Sequence, residues 1–150
     1  MNEQIKQLAG ILIAVVLATD GLFHAYWATG RIWPAPNQLA LVQLVLNSNK
    51  KHAFRPAILV PLAIILFIAT LMVLARVHLL GLVGQIVPAS LLQLGILILA
   101  AGFLLRGLAG VVWVLGLGAD RRTLFYRVNL MLYTPVCLLL FAAALTVAFA

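Results

Sequence analysis

The chain has 150 residues, of which 65% are hydrophobic and only 9% are charged. Its mean hydropathy is +1.18. A soluble domain has about a quarter of its residues charged, so this chain lacks the polar surface of a soluble protein, and we expect the lipid bilayer to be its main solvent. The formal net charge of +7 does not indicate nucleic-acid binding, because the basic residues flank apolar runs instead of gathering on one soluble face.

Neither the cysteine nor the histidines indicate a metal site. Cys137 is the single cysteine, which excludes an intramolecular disulfide. His24, His52 and His78 lie far apart, without cysteine or carboxylate companions at ligand spacing. The chain also has no P-loop and no dinucleotide fingerprint. We therefore expect no metal and no cofactor.

Four apolar runs predict an all-α membrane protein. They cover residues 8–30, 56–75, 87–105 and 128–150. Each has close to the roughly 20 residues that cross a hydrocarbon core of about 30 Å. Backbone groups in lipid must be hydrogen-bonded within the segment, which favours helices. The sequence thus predicts one four-transmembrane-helix bundle over residues 1–150. The first run is too long for a cleaved signal peptide and is predicted to be a span.

Two of the links between the runs contain further apolar segments. The first link begins with Trp33-Pro34-Ala35-Pro36, which cannot continue a helix. Residues 39–46 follow and are too few to span, so they predict an interfacial or re-entrant piece, either helix or strand. Residues 107–118 contain four glycines, which makes a regular fifth span unlikely and favours a re-entrant or interfacial loop.

The basic residues predict the orientation. Lys6 and Arg76 lie on the side with both chain ends. The other side carries eight: Arg31, Lys50, Lys51, Arg55, Arg106, Arg121, Arg122 and Arg127. Cytoplasmic loops carry an excess of basic residues. We therefore expect a multi-pass protein of the inner (plasma) membrane with both termini outside.

Polar residues recur along one side of the first predicted helix. Asp20, His24, Trp27 and Arg31 follow the i, i+4, i+7, i+11 pattern and share a sector of about 60°. A carboxylate inside an apolar run is costly unless it is protonated or paired. His24, one turn away, and Arg106, at the same end of the third span, are the candidate partners of Asp20. The stripe fits either a structural ion pair or a ligand or proton site.

A second stripe lies on the fourth predicted helix. It consists of Tyr126, Asn129, Tyr133 and Cys137. We expect Tyr126 to anchor at the interface, Asn129 and Tyr133 to face the bundle, and Cys137 to pack. Pro135 lies within this run and cannot donate to the carbonyl of Met131.

Two motifs resemble those of a family of small bacterial integral membrane proteins of unknown function. The first is residues 24–30 (HAYWATG), of the form H-x-Y-W-A-x-G, followed by Trp33-Pro34. The second is residues 133–138 (YTPVCL), of the form Y-[ST]-P-x-C, preceded by residues 125–127 (FYR). Arg106-Gly107 is a further element. The resemblance implies four membrane helices and supplies no activity.

The chain differs from that pattern at two positions. Arg31 stands where a second glycine is usual, and Asn129 stands where an acidic residue is usual.

The sequence leaves three functions open. The first is binding or transport of a small anionic or lipid-like amphipathic ligand near the cytoplasmic face. Arg31, Arg106 and Arg127 would hold the anionic group while aromatic residues hold the apolar part. The predicted ligand-binding residues are Asp20, His24, Trp27, Arg31, Arg106, Arg127, Asn129 and Tyr133. Four helices make a thin pathway, so transport would require a homo-oligomer.

The other two functions differ in class. An intramembrane enzyme would use His24, oriented by Asp20, as general acid or base and Tyr133 as proton donor. An accessory subunit would instead pack its polar stripes against a larger membrane complex. The partners expected from the sequence are thus the lipid bilayer, a lipid-like or anionic ligand, and another membrane chain, but no nucleic acid.

Overall fold

The computed structural model describes residues 3–149, and every regular element among them is helical. The α-helices are α1 (Glu3–Ala28), α2 (Gln38–Leu46), α3 (Pro56–Arg76), α4 (Ala89–Val114), α5 (Leu124–Val128) and α6 (Thr134–Phe149). Short 3₁₀ turns lie at Lys51–Phe54 and Gly81–Gln85. One π-helical turn, Asn129–Tyr133, joins α5 to α6.

Four helices are long and apolar enough to cross a membrane. They are Glu3–Ala28, Pro56–Arg76, Ala89–Val114 and the combined Leu124–Phe149. This result confirms the predicted all-α architecture with four spans, and it makes the chain a multi-pass membrane protein.

The four long helices form a bundle in which α1 packs against α3 and α6, and α4 packs against α6 and α3. The core between them is built from aliphatic side chains such as Ile13, Val73, Ile96 and Val147, all with 0% exposed surface. Large apolar side chains also cover the outside of the bundle; Ile98, for example, is 64% exposed. An apolar exterior is what a helix bundle presents to lipid.

Residues 107–118 form no fifth span within residues 3–149, as predicted, but the loop expected there is wrong for most of the segment, because α4 continues as a regular helix to Val114. The glycines here serve packing and do not break the helix. A Cβ on Gly107 would lie 2.7 Å from Cδ2 of Leu138, and a Cβ on Gly110 would collide with Thr134. Small residues allow two membrane helices to approach closely, so these two glycines bring α4 against α6.

The prediction that the first link contains a short apolar segment that does not span is confirmed, and the structure shows this segment as the helix α2. Asn37 caps α2 by accepting a hydrogen bond from the Ala40 N–H at 2.9 Å. Leu41 and Val42 of α2 pack into a second core, together with Trp27, Phe54 and Leu59. This helix therefore covers the end of the bundle where α1 stops and α3 begins.

The two long links meet at that same end. The side-chain amide of Asn47, just after α2, donates to the carbonyl of Gly118 at 2.9 Å. The segment 115–123 is thereby tied to the first link. We refer to this end of the bundle as the α2 end.

At the opposite end, the start of α1 lies beside the end of α3. A Cβ on Gly10 would lie 2.6 Å from Cγ1 of Val77. Arg76 donates to the carbonyl of Ala148 near the end of α6. Lys6 and Arg76 therefore share one end, which we call the Lys6 end. The direction of the bundle across the membrane stays a prediction from the basic residues.

Candidate functional site

Three of the predicted site residues lie at a similar depth below the α2 end. Asp20 and Arg106 each precede the last residue of their helix by eight positions, which is roughly 12 Å along the axis. Tyr133 follows the first residue of its span by nine positions, or roughly 14 Å. The polar residues of three different helices therefore share one layer of the bundle.

On α1, Asp20 and His24 are in contact. His24 Nδ1 lies 2.8 Å from the backbone oxygen of Asp20 and 3.3 Å from its carboxylate Oδ1. A neutral imidazole that donates from Nδ1 keeps Nε2 as an acceptor. His24 is buried, whereas the side chain of Asp20 is 52% exposed. Of the two partners predicted for Asp20, the structure therefore pairs it with His24.

The other two members of the α1 stripe lie outside this layer. Trp27 is a core residue: it packs on Phe54 at a ring distance of 5.3 Å, and its indole N–H donates to the carbonyl of Trp33 at 2.9 Å. Arg31 follows α1, is exposed, and lies over the Tyr26 ring at 5.7 Å. Trp27 thus holds the first link against the bundle, and Arg31 lies at the surface of the α2 end.

Arg106 on α4 occupies a cage of aromatic and amide groups. Its Cζ lies 5.0 Å from the ring centre of Trp113 and 5.3 Å from that of Tyr133. Its Nη1 donates to Oδ1 of Asn129 at 3.2 Å. Cation–π contacts and an amide oxygen compensate part of the cost of a charge in an apolar setting. We call Arg106, Trp113, Asn129 and Tyr133 the Arg106 cluster.

Asn129 fixes this cluster between α4 and α6. Its side chain is fully buried, and its amide nitrogen donates to the carbonyl of Gly110 at 3.0 Å. The same side chain therefore serves a backbone acceptor and a guanidinium donor on α4. Thr134 lies against Gly110 as well, and its buried hydroxyl oxygen has no hydrogen-bond partner among residues 3–149.

The π-helical turn places Asn129 and Tyr133 on the side that faces α4. The N–H of Thr134 donates to the carbonyl of Asn129, five residues back instead of four. Pro135 has no N–H to donate, so a regular bonding pattern cannot continue through it. Such turns are frequent at functional sites. Here the turn allows both Asn129 and Tyr133 to reach Arg106.

The charge of Arg106 is not neutralised by a carboxylate of the described residues. The ion pair found within residues 3–149 joins His24 to Asp20. The Arg106 guanidinium instead donates to the neutral side-chain amide of Asn129. A guanidinium has five N–H donors, so several remain. Asp20 and Arg106 are both within electrostatic range of Tyr133 and Cys137, which places the two charges around a common region.

The remaining predicted residues are more peripheral. Tyr126 donates its hydroxyl to the carbonyl of Val114 at 3.0 Å and so closes the end of α4. Arg127 is exposed on α5. Cys137 is half-buried on α6, beside Gly107. The prediction that Cys137 packs against another helix agrees with this position.

Three residues of this region were missed by sequence reasoning. They are Trp113, Gly110 and Thr134, to which the sequence assigns no role in the site. The available signal was a pair of small residues on one helical face, Gly107 and Gly110, directly after an intramembrane arginine, since small residues are enriched where membrane helices contact. Nothing in the sequence showed that Trp113 turns back over Arg106.

The structure offers no ready metal site, since no group of three His, Cys, Asp or Glu side chains lies together within residues 3–149. A cleft of about 430 Å³ lies between α2 and α5, next to Asn47 and Thr123. None of the predicted ligand-binding residues lines it.

Comparison with known proteins assigns a family and no activity. No curated protein and no solved structure matches the chain. The family described as "Protein of unknown function (DUF3995)" matches residues 7–145, which is nearly the whole sequence. The chain therefore belongs to the DUF3995 family.

Proposed function

We propose that this protein binds the anionic group of a lipid-like amphipathic molecule at Arg106. The observation that carries the proposal is the state of this side chain: a guanidinium inside a membrane span, held by two rings and one amide, without a carboxylate partner among the described residues. Ionisable groups in such positions usually mark binding or transport sites.

The energetics favour an anion at this position. Insertion of an arginine at the centre of a membrane helix costs about 2.5–3.5 kcal/mol. The Arg106 cluster offsets part of that cost, but a neutral amide accepts only one of the guanidinium N–H groups. A phosphate or carboxylate would accept two in parallel, which is the strongest pairing that arginine forms.

The surroundings of Arg106 favour an amphipathic ligand over a small inorganic anion. Leu105 and Leu108 on α4 are 69% and 50% exposed, and Leu132 on the neighbouring span is 53% exposed. These side chains face the lipid at the depth of Arg106. An acyl chain could therefore lie along them while its charged group reaches the guanidinium. Arg31 and Arg127, exposed towards the α2 end, stay predicted contacts for the polar headgroup.

Two variants test the proposal, with dodecyl phosphate as the probe and native mass spectrometry in a neutral detergent as the measurement. Arg106→Gln removes the charge. Asn129→Asp supplies a carboxylate at the atom that now accepts from Arg106, and so competes with any ligand for the guanidinium. We expect each to weaken the binding of dodecyl phosphate by about tenfold or more, since a charge-assisted hydrogen bond contributes about 1.5–3 kcal/mol.

Arg55→Gln is the matched control. Arg55 is exposed at the α2 end and lies outside the Arg106 cluster, so its removal changes the net charge equally and should leave binding unchanged. Wild-type affinity in both Arg106→Gln and Asn129→Asp would refute the proposal. An equal loss in Arg55→Gln would show that only net charge is being measured.

One observation favours the enzymatic alternative. His24 is oriented through Nδ1 by Asp20, as a general acid or base requires. Tyr133, its predicted proton donor, lies against Arg106 instead. If the protein is an enzyme, His24→Ala must abolish turnover of a bound amphiphile and leave dodecyl phosphate binding intact.

A further inference from the structure

The Lys6 end of the bundle carries a second positive region. Within residues 3–149 no carboxylate forms a salt bridge with Lys6 or Arg76, and the Glu3 side chain, one turn before Lys6, is exposed. Lys6 on α1 is only 5% exposed. Arg76, the last residue of α3, is half-buried. Two cations in an apolar setting are costly without a counter-ion.

Several side-chain hydrogen-bond donors also meet there. The carbonyl of Ala148 accepts from Nη2 of Arg76 and from the side-chain amide of Gln93, both at 3.2 Å. Two bonds fill the capacity of one carbonyl oxygen. Nε of Arg76 is buried without a partner within the described part of the chain. The ammonium group of Lys6 adds up to three donors. An anionic acceptor would balance this set.

Lys6 and Arg76 belong to the same helix crossing. Gly10 packs directly on Val77, the residue after Arg76. Lys6 lies one turn before Gly10 and on the same buried face of α1. Side chains on a helix lean towards its N-terminus, so the ammonium group of Lys6 extends to the end of the bundle where α3 stops.

An apolar groove runs along the outside of the same half of the bundle. It lies between α1 and α6, has a volume of about 390 Å³, and is lined by residues that include Leu8, Leu12, Leu139, Ala142 and Thr146. It covers about two turns of each helix, roughly 10 Å. Its lining includes Ile5, the residue before Lys6, and Thr146, two residues before Ala148, so it extends from the Lys6 end towards the middle of the bilayer.

We propose that Lys6, Arg76 and Gln93 bind the phosphate of an anionic phospholipid and that the groove between α1 and α6 holds one of its acyl chains. A positive, donor-rich end that continues into an apolar groove matches the two parts of such a lipid. This site lies at the opposite end from the Arg106 cluster, and the inference does not rest on the function proposed for Arg106.

The experiment counts lipids on the full-length protein by native mass spectrometry, with dioleoyl-phosphatidylglycerol added in a neutral detergent. We expect the double variant Lys6→Gln/Arg76→Gln to bind one such lipid about tenfold more weakly than the wild type. Ala142→Phe leaves both charges in place and fills the groove, so it should weaken the binding of the same lipid. The same loss is expected when Lys6→Gln/Arg76→Gln is combined with Arg106→Gln, which separates this site from the one proposed at Arg106.

The matched control is Arg55→Gln/Arg122→Gln, which removes two exposed charges at the α2 end and should leave this lipid bound. Equal weakening by this control would overturn the proposal, and so would wild-type binding in the Lys6→Gln/Arg76→Gln variant. Displacement of the lipid by millimolar inorganic phosphate would also overturn it, by identifying a free anion as the ligand.

Folding must be tested separately, because Arg76 also holds the end of α6. Lys6→Gln alone breaks no hydrogen bond among the described residues, so this variant should melt like the wild type and still bind the lipid more weakly. Lys6→Arg keeps the charge and should still bind the lipid. Loss of the lipid in Lys6→Arg with full retention in Lys6→Gln would contradict the proposed role of the charge.

Discussion

The two polar groups at the same depth of the bundle are built in different ways. Asp20 and His24 lie four residues apart on one helix, and the Asp20 side chain is 52% exposed. The Arg106 cluster joins two helices, because Asn129 bonds to Gly110, 19 positions earlier in the chain, and to Arg106, 23 positions earlier. Asn129, at the centre of the cluster, is 0% exposed. One contact follows from helix geometry alone, whereas the other requires α4 and α6 to be packed closely.

This difference separates stability from local chemistry. The Asp20–His24 contact can form in an isolated helix, so its loss changes little of the packing. The Asn129 contacts exist only after α4 meets α6 at Gly110, so their loss affects the assembled bundle. We therefore expect variants of the Arg106 cluster to destabilise the fold far more than variants of the α1 pair.

Asn129→Leu should have the largest effect. It removes the acceptor of Arg106 and the donor to the Gly110 carbonyl, both within a buried contact. A hydrogen bond to a charged group contributes about 1.5–3 kcal/mol, and a stranded buried polar group costs about 1–3 kcal/mol. We expect a loss of about 3 kcal/mol in the free energy of unfolding, measured by chemical denaturation in detergent.

Asn129→Asp is the control for that loss. It keeps an oxygen for Arg106, now as a carboxylate that forms an ion pair, and turns the donor to Gly110 into an oxygen that faces the Gly110 carbonyl. We therefore expect a loss of stability that is smaller than that of Asn129→Leu. If the two variants unfold alike, or if Asn129→Leu matches the wild type, the Arg106 cluster does not hold α4 to α6.

Gly110→Ala should have an intermediate effect. A Cβ at this position meets Thr134 and lies 3.3 Å from Oδ1 of Asn129, so the two helices must separate slightly. Overpacking of this kind costs about 1–3 kcal/mol. The same measurement applies to Gly102→Ala on the same helix, where nothing lies within 4 Å of the added carbon.

Gly102→Ala should be neutral or stabilising, because alanine is the better helix former by about 1 kcal/mol. The sign of the change at the two glycines is the critical result. Equal effects would mean that Gly110 has no special contact with α6, and the close approach of the two helices would have to be explained differently.

The same contrast explains what the sequence could predict. The four spans follow from the length of the apolar runs. Residues 39–46 are too few to span, but their sequence leaves helix and strand open. The Asp20–His24 contact follows from helical periodicity along one segment. The sequence does not predict the extension of α4 to Val114, because the glycines of residues 107–118 are interpreted as helix breakers. In lipid they are tolerated in helices and mark close contacts, which only the neighbouring helix reveals.

The partner of Arg106 could not be obtained from spacing either. Arg106 is 23 residues from Asn129, and no period relates two residues on different helices. The carboxylate of Asp20 was an equally reasonable partner on charge grounds. The structure selects Asn129 because Gly107 and Gly110 bring α4 against α6, whereas Asp20 is satisfied locally by His24.

Asp20→Asn should have the smallest effect. His24 keeps its 2.8 Å bond to the backbone oxygen of residue 20, and a half-exposed ion pair contributes at most about 1 kcal/mol. We expect a loss below about 1 kcal/mol in the free energy of unfolding. Because Asp20 and Arg106 act on the same region, removal of the negative charge should also strengthen the binding of dodecyl phosphate. A loss above about 2 kcal/mol would show instead that Asp20 neutralises a buried cation. The two polar groups would then form a single unit, and the Arg106 guanidinium would no longer be open to a ligand.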